Sequence, residues 1–134
     1  MSRKIFVNLP VENLNRSTDF FTTLGFEFNP QFTDENATCM IVSADIFVML
    51  LVEPFFQSFS KKDITDTARS SEVIVALSAD TREGVDELAD RALANGASPH
   101  ADPQDHGSMY GRSFRDPDGH IWEVMWMDPA ALEG

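Results

Sequence analysis

Residues 116–127, DPDGHIWEVMWM, decide the fold of the second half because a tight turn opens directly into an apolar strand. Pro117 presets φ for the turn, and Gly119 supplies backbone freedom that other residues lack. Within 121–127 the only polar residue is Glu123. A strand that is apolar on both faces is covered on both faces, and an ionised Glu there is costly unless it is paired. We therefore expect Glu123 to meet a metal, an Arg or a ligand, or to face a polar cavity.

Composition and charge narrow the range of partners. The chain has 134 residues, a length typical of one domain, and a formal net charge of −12. Nucleic acid is disfavoured as a partner because phosphate binding needs clustered Lys and Arg, and an anionic membrane surface is disfavoured for the same reason. No window approaches a membrane-spanning apolar run, so no membrane partner and a cytoplasmic location are expected. Cys39, the single cysteine, is expected to be a buried structural thiol.

The first half predicts one strand, one helix and three further strands. Asn13 is a plausible N-cap, and Gly25 is a plausible stop for the helix that follows. The strands are expected over residues 5–9, 26–32, 38–43 and 46–52, the last two joined by a tight hairpin.

The second half repeats this order, so each half is predicted to be a βαβββ module. Asp80 with Glu83 three residues later predicts the start of its helix, which should stop at Gly96. The strands are expected over residues 73–79, 97–100, 110–115 and 121–127. The modules span about 1–53 and 72–128 and are joined by a long loop, 54–71, whose aromatic residues either pin it to the core or close over a site.

Four segments together resemble the vicinal oxygen chelate superfamily: LPVENLNRS (9–17), FFTTLGF (20–26), DPDGH (116–120) and WEV (122–124). This superfamily includes glyoxalase I, extradiol dioxygenases, fosfomycin-modifying enzymes and bleomycin-sequestering proteins. The resemblance covers essentially the whole chain. It implies a single α+β domain, with the glyoxalase/bleomycin resistance fold, in which two βαβββ modules form a curved, partly open barrel-like sheet around a cleft. It also implies a homodimer.

The resemblance supplies a test for a metal site. Metal-dependent members carry ligands at four positions that correspond here to Phe6, Met49, Ile74 and Glu123. Only Glu123 suits a hard or borderline cation, and a catalytic site of this kind needs at least three protein ligands. Asn8, on the same side of its strand as Phe6, would be a weak substitute. We therefore expect no cofactor, and a divalent metal, although possible, is disfavoured.

Glu123 is the candidate catalytic residue, as a general base or as an acceptor that anchors a ligand. Arg112, on the neighbouring strand, either holds an anionic group or pairs with Glu123. Tyr110 either orients a ligand or lies at the surface, and Asn8 is a further polar anchor. The expected apolar walls of the ligand site are Phe6, Phe47, Met49 and Met125.

The sequence favours a protein that binds a small, partly apolar molecule in the cleft between the modules without the usual divalent metal. The alternative is a metal-dependent lyase, isomerase or dioxygenase of the glyoxalase type, in which Glu123 and water or substrate hold the metal incompletely. A scaffold whose cleft is filled by side chains is the third possibility.

Overall fold

The computed structural model describes residues 3–132, and the chain divides between Thr65 and Asp66 into two compact units. Each unit is built on one sheet, and the fold is mixed α+β. No helix within the described residues is long and apolar enough to cross a membrane.

The elements of the first unit are β1 (Ile5–Val11), α1 (Leu14–Thr23), β2 (Glu27–Asn29), a 3₁₀ turn (Pro30–Phe32), β3 (Ala37–Ser43), β4 (Ile46–Val52) and α2 (Glu53–Ser60). Its four-stranded sheet has the order β1-β4-β3-β2, with β1 and β4 parallel and the other neighbours antiparallel.

The predicted cap of α1 is confirmed, because the Asn13 side chain accepts a hydrogen bond from the Arg16 N–H at 3.0 Å. This bond satisfies one of the free N–H groups of the first turn. Phe20 and Phe21 fall on one face of the helix and are buried. The helix therefore packs through the apolar stripe read from the sequence.

Two expectations for the first unit are wrong. The strand expected over 26–32 ends at Asn29, because Pro30 begins a 3₁₀ turn and the Asn29 side chain accepts from the Gln31 N–H at 2.9 Å. The segment 54–71, expected to be a loop, instead begins with helix α2. Pro54 suits the first turn of this helix, which has no side-chain N-cap. The missing cap removed the usual sign of a helix start.

The elements of the second unit are β5 (Ile74–Ser78), α3 (Arg82–Ala94), β6 (Ser98–Pro99), β7 (Gln104–Asp105), β8 (Met109–Arg115), β9 (Ile121–Met127) and α4 (Pro129–Leu132). Its sheet has the order β5-β9-β8-β6, with the short β7 also paired to β8. β5 and β9 are parallel, and the other pairs are antiparallel.

Helix α3 covers one face of this sheet, with Val85 and Ala89 packed against Val124 and Trp126. Its N-cap is Thr81, which accepts from the Gly84 N–H at 2.9 Å, so the predicted cap at Asp80 is wrong by one residue. The strand expected over 97–100 shrinks to the two residues of β6.

Candidate functional site

Strand alternation puts Glu123 on the face of β9 opposite α3. Val124 and Trp126 face the helix, so Glu123 points the other way. Its register neighbours are Ala76 on β5 and Ser113 on β8, both small residues. The carboxylate therefore stands in the middle of the sheet with no bulky neighbour on either adjacent strand.

A pocket of about 340 Å³ lies over this face of the second sheet. Glu123 and Met125 come from β9, and Gly111 and Ser113 come from β8. Glu123 is half-buried, and its carboxylate makes no hydrogen bond or ion pair with any residue in 3–132. The remaining lining residues are His100, Ala101, Asp102, Gln104, Met109 and Arg112.

The expected pairing of Arg112 with Glu123 is wrong. Register places Arg112 opposite Val124, on the α3 side of the sheet. Its Nη1 lies 3.1 Å from Asp86 Oδ1 and 2.7 Å from Asp90 Oδ1, both on α3. Arg112 thus holds helix to sheet, and its guanidinium charge is already balanced by two carboxylates.

Tyr110 also lies on the α3 side, and it donates a hydrogen bond to Asp86 Oδ1 at 2.6 Å. The Arg82 guanidinium stacks 4.6 Å from the centre of its ring. The hydrogen bond from Tyr110, together with Arg112, lowers the pKa of Asp86, and the bond to Asp86 raises the pKa of Tyr110. Both predicted anchors, Tyr110 and Arg112, therefore belong to a structural network rather than to the face that carries Glu123.

This network predicts a pH-dependent stability that Asp86→Asn removes. A lowered carboxyl pKa stabilises the fold above the unfolded-state pKa, and this contribution disappears as pH falls through the folded-state pKa. Because the Asp86 side chain is 48% exposed, we expect a cost of only about 0.5–1 kcal/mol at neutral pH, converging to none in acid. Urea unfolding across acid and neutral pH measures it, with Glu87→Gln on the same helix as control. A variant whose deficit is the same at every pH would contradict the assignment.

The four residues predicted in the first half share one face of the first sheet. Phe6 and Phe47 are stacked with ring centres 5.0 Å apart, and Asn8 lies beside Met49 in register. Asn8 also lines a separate pocket of about 600 Å³ with Leu51 and three α2 residues, which are Phe56, Phe59 and Ser60. The aromatic residues of 54–71 were noted from the sequence. Their position against β1 and β4 depends on helix α2, which was not predicted.

Two pocket residues were missed as candidates. His100 and Asp102 lie between β6 and β7 and line the same pocket as Glu123. The Ala101 N–H donates to Ser113 Oγ at 3.1 Å, which ties this segment to β8 beside Glu123. No pattern in the sequence points to that bond, because it joins residues twelve apart in chain order across an irregular loop.

Comparison with known proteins identifies the fold. The family model described as "Bleomycin resistance protein-like N-terminal" matches residues 3–43. A glyoxalase/bleomycin resistance protein/dioxygenase family enzyme from Burkholderia phytofirmans PsJN is 15% identical, with a TM-score of 0.78 over 94% of this chain and 99% of that one. The chain has the fold of the vicinal oxygen chelate superfamily. The α+β fold class predicted from the sequence is thereby confirmed, and the resemblance holds at the level of the fold.

Two other solved structures widen the comparison with the vicinal oxygen chelate fold. The hypothetical protein SA1046 from S. aureus is 26% identical, with a TM-score of 0.80 over 94% of each chain. TnmS3, an antibiotic binding protein from Streptomyces sp. CB03234, is 18% identical, with a TM-score of 0.67 over 95% of this chain and 97% of that one. No curated protein matches the chain.

The donor set does not fit the divalent metal of vicinal oxygen chelate enzymes. Phe6 and Met49 lie on the first sheet, and Ile74 and Glu123 lie on the second. Hydrocarbon side chains cannot coordinate a cation, and a thioether suits only soft metals. Across residues 3–132, no group of three or more His, Cys, Asp or Glu side chains could hold a metal ion.

Proposed function

We propose that this protein binds a small, partly apolar molecule in the pocket on the second sheet, with Glu123 as the anchor and without a divalent metal. The observation that carries this proposal is a half-buried carboxylate with no partner in the described chain, standing on the floor of a pocket. The proposed ligand site includes only the sheet face that carries Glu123. Tyr110 and Arg112, which the sequence also suggested as anchors, are bonded to α3 on the opposite face.

Desolvation explains why a ligand would bind here. A carboxylate that loses part of its water shell without gaining a hydrogen bond destabilises the fold. A ligand with an N–H or O–H group would restore that bond, and its apolar part would contact Met109 and Met125, whose flexible thioethers adapt to irregular shapes. The pocket volume of about 340 Å³ is at the lower end of the range for small-molecule sites.

Similarity to an antibiotic binding protein supports small-molecule binding, and the family model points the same way. Catalysis with a metal would need at least two further protein ligands beside Glu123, and the corresponding positions do not supply them. The homodimer and the cytoplasmic location expected from the sequence stay predictions.

Glu123→Leu should stabilise the free protein by about 1 kcal/mol, because it replaces an unpaired half-buried carboxylate on an apolar strand.

Compounds from a drug-sized library that raise the Tm of the parent protein should not raise that of Glu123→Leu or Glu123→Gln. Glu27→Gln, an exposed substitution on β2 of the first sheet, is the matched control and should keep the shifts. Differential scanning fluorimetry measures both effects.

Metal analysis of protein purified without chelator completes the test. We expect no stoichiometric zinc, nickel, manganese or iron, and no tight binding of these ions by calorimetry. Tight binding that disappears in Glu123→Gln would overturn the metal-independent proposal, and library compounds that shift Glu123→Gln as much as the parent would overturn the site.

A further inference from the structure

A second carboxylate accompanies Glu123 in the pocket on the second sheet. Asp102 lines its wall while Glu123 forms its floor. Neither side chain makes a hydrogen bond or ion pair within the part of the chain that the structure describes. Two unneutralised acids therefore border one small cavity.

Among the described residues that line this pocket, no Lys or Arg is free to balance the two carboxylates. Arg112 is the one Lys or Arg among the residues lining the described pocket, and its guanidinium is bonded to Asp86 and Asp90 on the other side of the sheet. The protein as a whole carries a net charge of −12, which adds to the negative potential. The pocket is therefore electrostatically suited to a cation and unfavourable for an anion.

The wall that carries Asp102 is attached on both sides. Ala101 is bonded to Ser113, and Gln104 pairs with Gly111 on β8. Beyond it, Arg82 Nη2 binds Asp105 Oδ2 at 2.5 Å, which fastens β7 to the N-terminus of α3. Only Asp102 and Pro103 lie between the attachment points at Ala101 and Gln104, so Asp102 is not at the tip of a free loop.

We propose that the pocket selects an organic cation, an ammonium or amidinium group on an apolar body, and that Asp102 is a specificity-determining residue. Asp102 and Glu123 together receive the cationic group, and Met109 and Met125 contact the apolar body. This inference rests on the proposed function and adds to it the charge of the ligand and a second anchor. The described residues include no group of three or more His, Cys, Asp or Glu side chains that could hold a metal ion. An organic cation does not need such a ligand set, because its N–H groups donate hydrogen bonds to the carboxylates.

Three probes with one ring system and different charges test this inference: naphthylmethylamine, naphthalenemethanol and naphthylacetic acid. Isothermal calorimetry is run at about pH 8, where primary amines are protonated and carboxylic acids are ionised. We expect the amine to bind about tenfold more tightly than the alcohol, the acid to bind most weakly, and the preference to shrink in about 0.5 M NaCl. Asp102→Asn should weaken the amine about threefold and leave the alcohol unchanged. Asp63→Asn, which removes the same charge from an exposed position in the first unit, should leave the amine affinity unchanged.

The outcomes separate the inference from the proposed function. If amine and alcohol bind equally, or if Asp102→Asn leaves their ratio unchanged, the cation inference fails while small-molecule binding at Glu123 stands. If the acid binds best, or no naphthyl probe binds, the inference also fails, and the library screen against Glu123→Gln still decides the proposed function independently. A charge preference that Glu123→Gln removes and Asp102→Asn reduces would support both.

Discussion

Asp116→Ala should unfold this protein at a much lower temperature than the parent. Asp116 is 4% exposed, and its Oδ1 accepts hydrogen bonds from the N–H groups of Asp118 and His120 at 2.9 and 3.0 Å. Its Oδ2 accepts from Trp122 Nε1 at 2.9 Å, and Trp122 is fully buried. Truncation leaves the buried donors of His120 and Trp122, and the half-buried N–H of Asp118, without their acceptor, at about 1–3 kcal/mol for each buried unsatisfied group.

The summed cost of Asp116→Ala is about 3–4 kcal/mol, which lowers the Tm by roughly 10 °C for a domain of this size. Asp34→Ala is the control, because Asp34 also accepts two backbone N–H bonds, at 2.8 and 3.1 Å, but in an exposed turn. It should cost about 1 kcal/mol. Adding Trp122→Phe to Asp116→Ala should cost less than the sum of the two single changes, since the indole N–H no longer needs an acceptor. Additive losses would mean that the bond from Trp122 to Asp116 contributes little.

The fold was predictable from sequence where apolar runs are bounded by turn residues. The strands β4 (Ile46–Val52) and β9 (Ile121–Met127) have the predicted bounds, because each is an apolar segment next to a tight turn, interrupted in β9 only by Glu123. Helix α2 was not predictable in the same way. It begins after Val52 with no side-chain cap, so its stability depends on packing against β1 and β4.

Strand alternation was the only feature of the sequence that correctly predicted part of the candidate site. Alternation along β9 places Glu123 and Met125 on the open face, as expected. The error at Arg112 is one of register between strands: β8 places Ser113, not Arg112, beside Glu123. A one-residue shift in register reverses the face of every side chain, and nothing in the sequence of β8 fixes it. The wall residue Asp102 depends on a loop whose attachment to Ser113 has no sequence pattern.

Gly119→Ala is expected to lower the free energy of unfolding almost as much as Asp116→Ala does. Gly119 lies in the turn that leads into β9, the strand that carries Glu123. Gly119 has φ +84°, which costs an Ala about 1–2 kcal/mol. Its added Cβ would overlap Thr67 Oγ1 and lie 3.0 Å from Thr67 Cβ. The Thr67 hydroxyl cannot easily move away, because it donates to the Asp118 carbonyl at 2.6 Å. Overpacking adds about 1–3 kcal/mol, so a total near 3 kcal/mol is expected in urea unfolding.

Gly107→Ala separates the cost of the positive φ from the cost of the overlap with Thr67. Gly107 has φ +80° but open space where its Cβ would lie. It should cost only the backbone contribution, about 1–2 kcal/mol. Thr67→Ala in the Gly119→Ala background should recover part of the loss, and equal deficits for Gly119→Ala and Gly107→Ala would show that Thr67 does not crowd the turn. Because this turn leads directly into β9, it also helps to set the register that directs Glu123 into the pocket. At a temperature where both variants are folded, Gly119→Ala should therefore bind naphthylmethylamine more weakly than Gly107→Ala does.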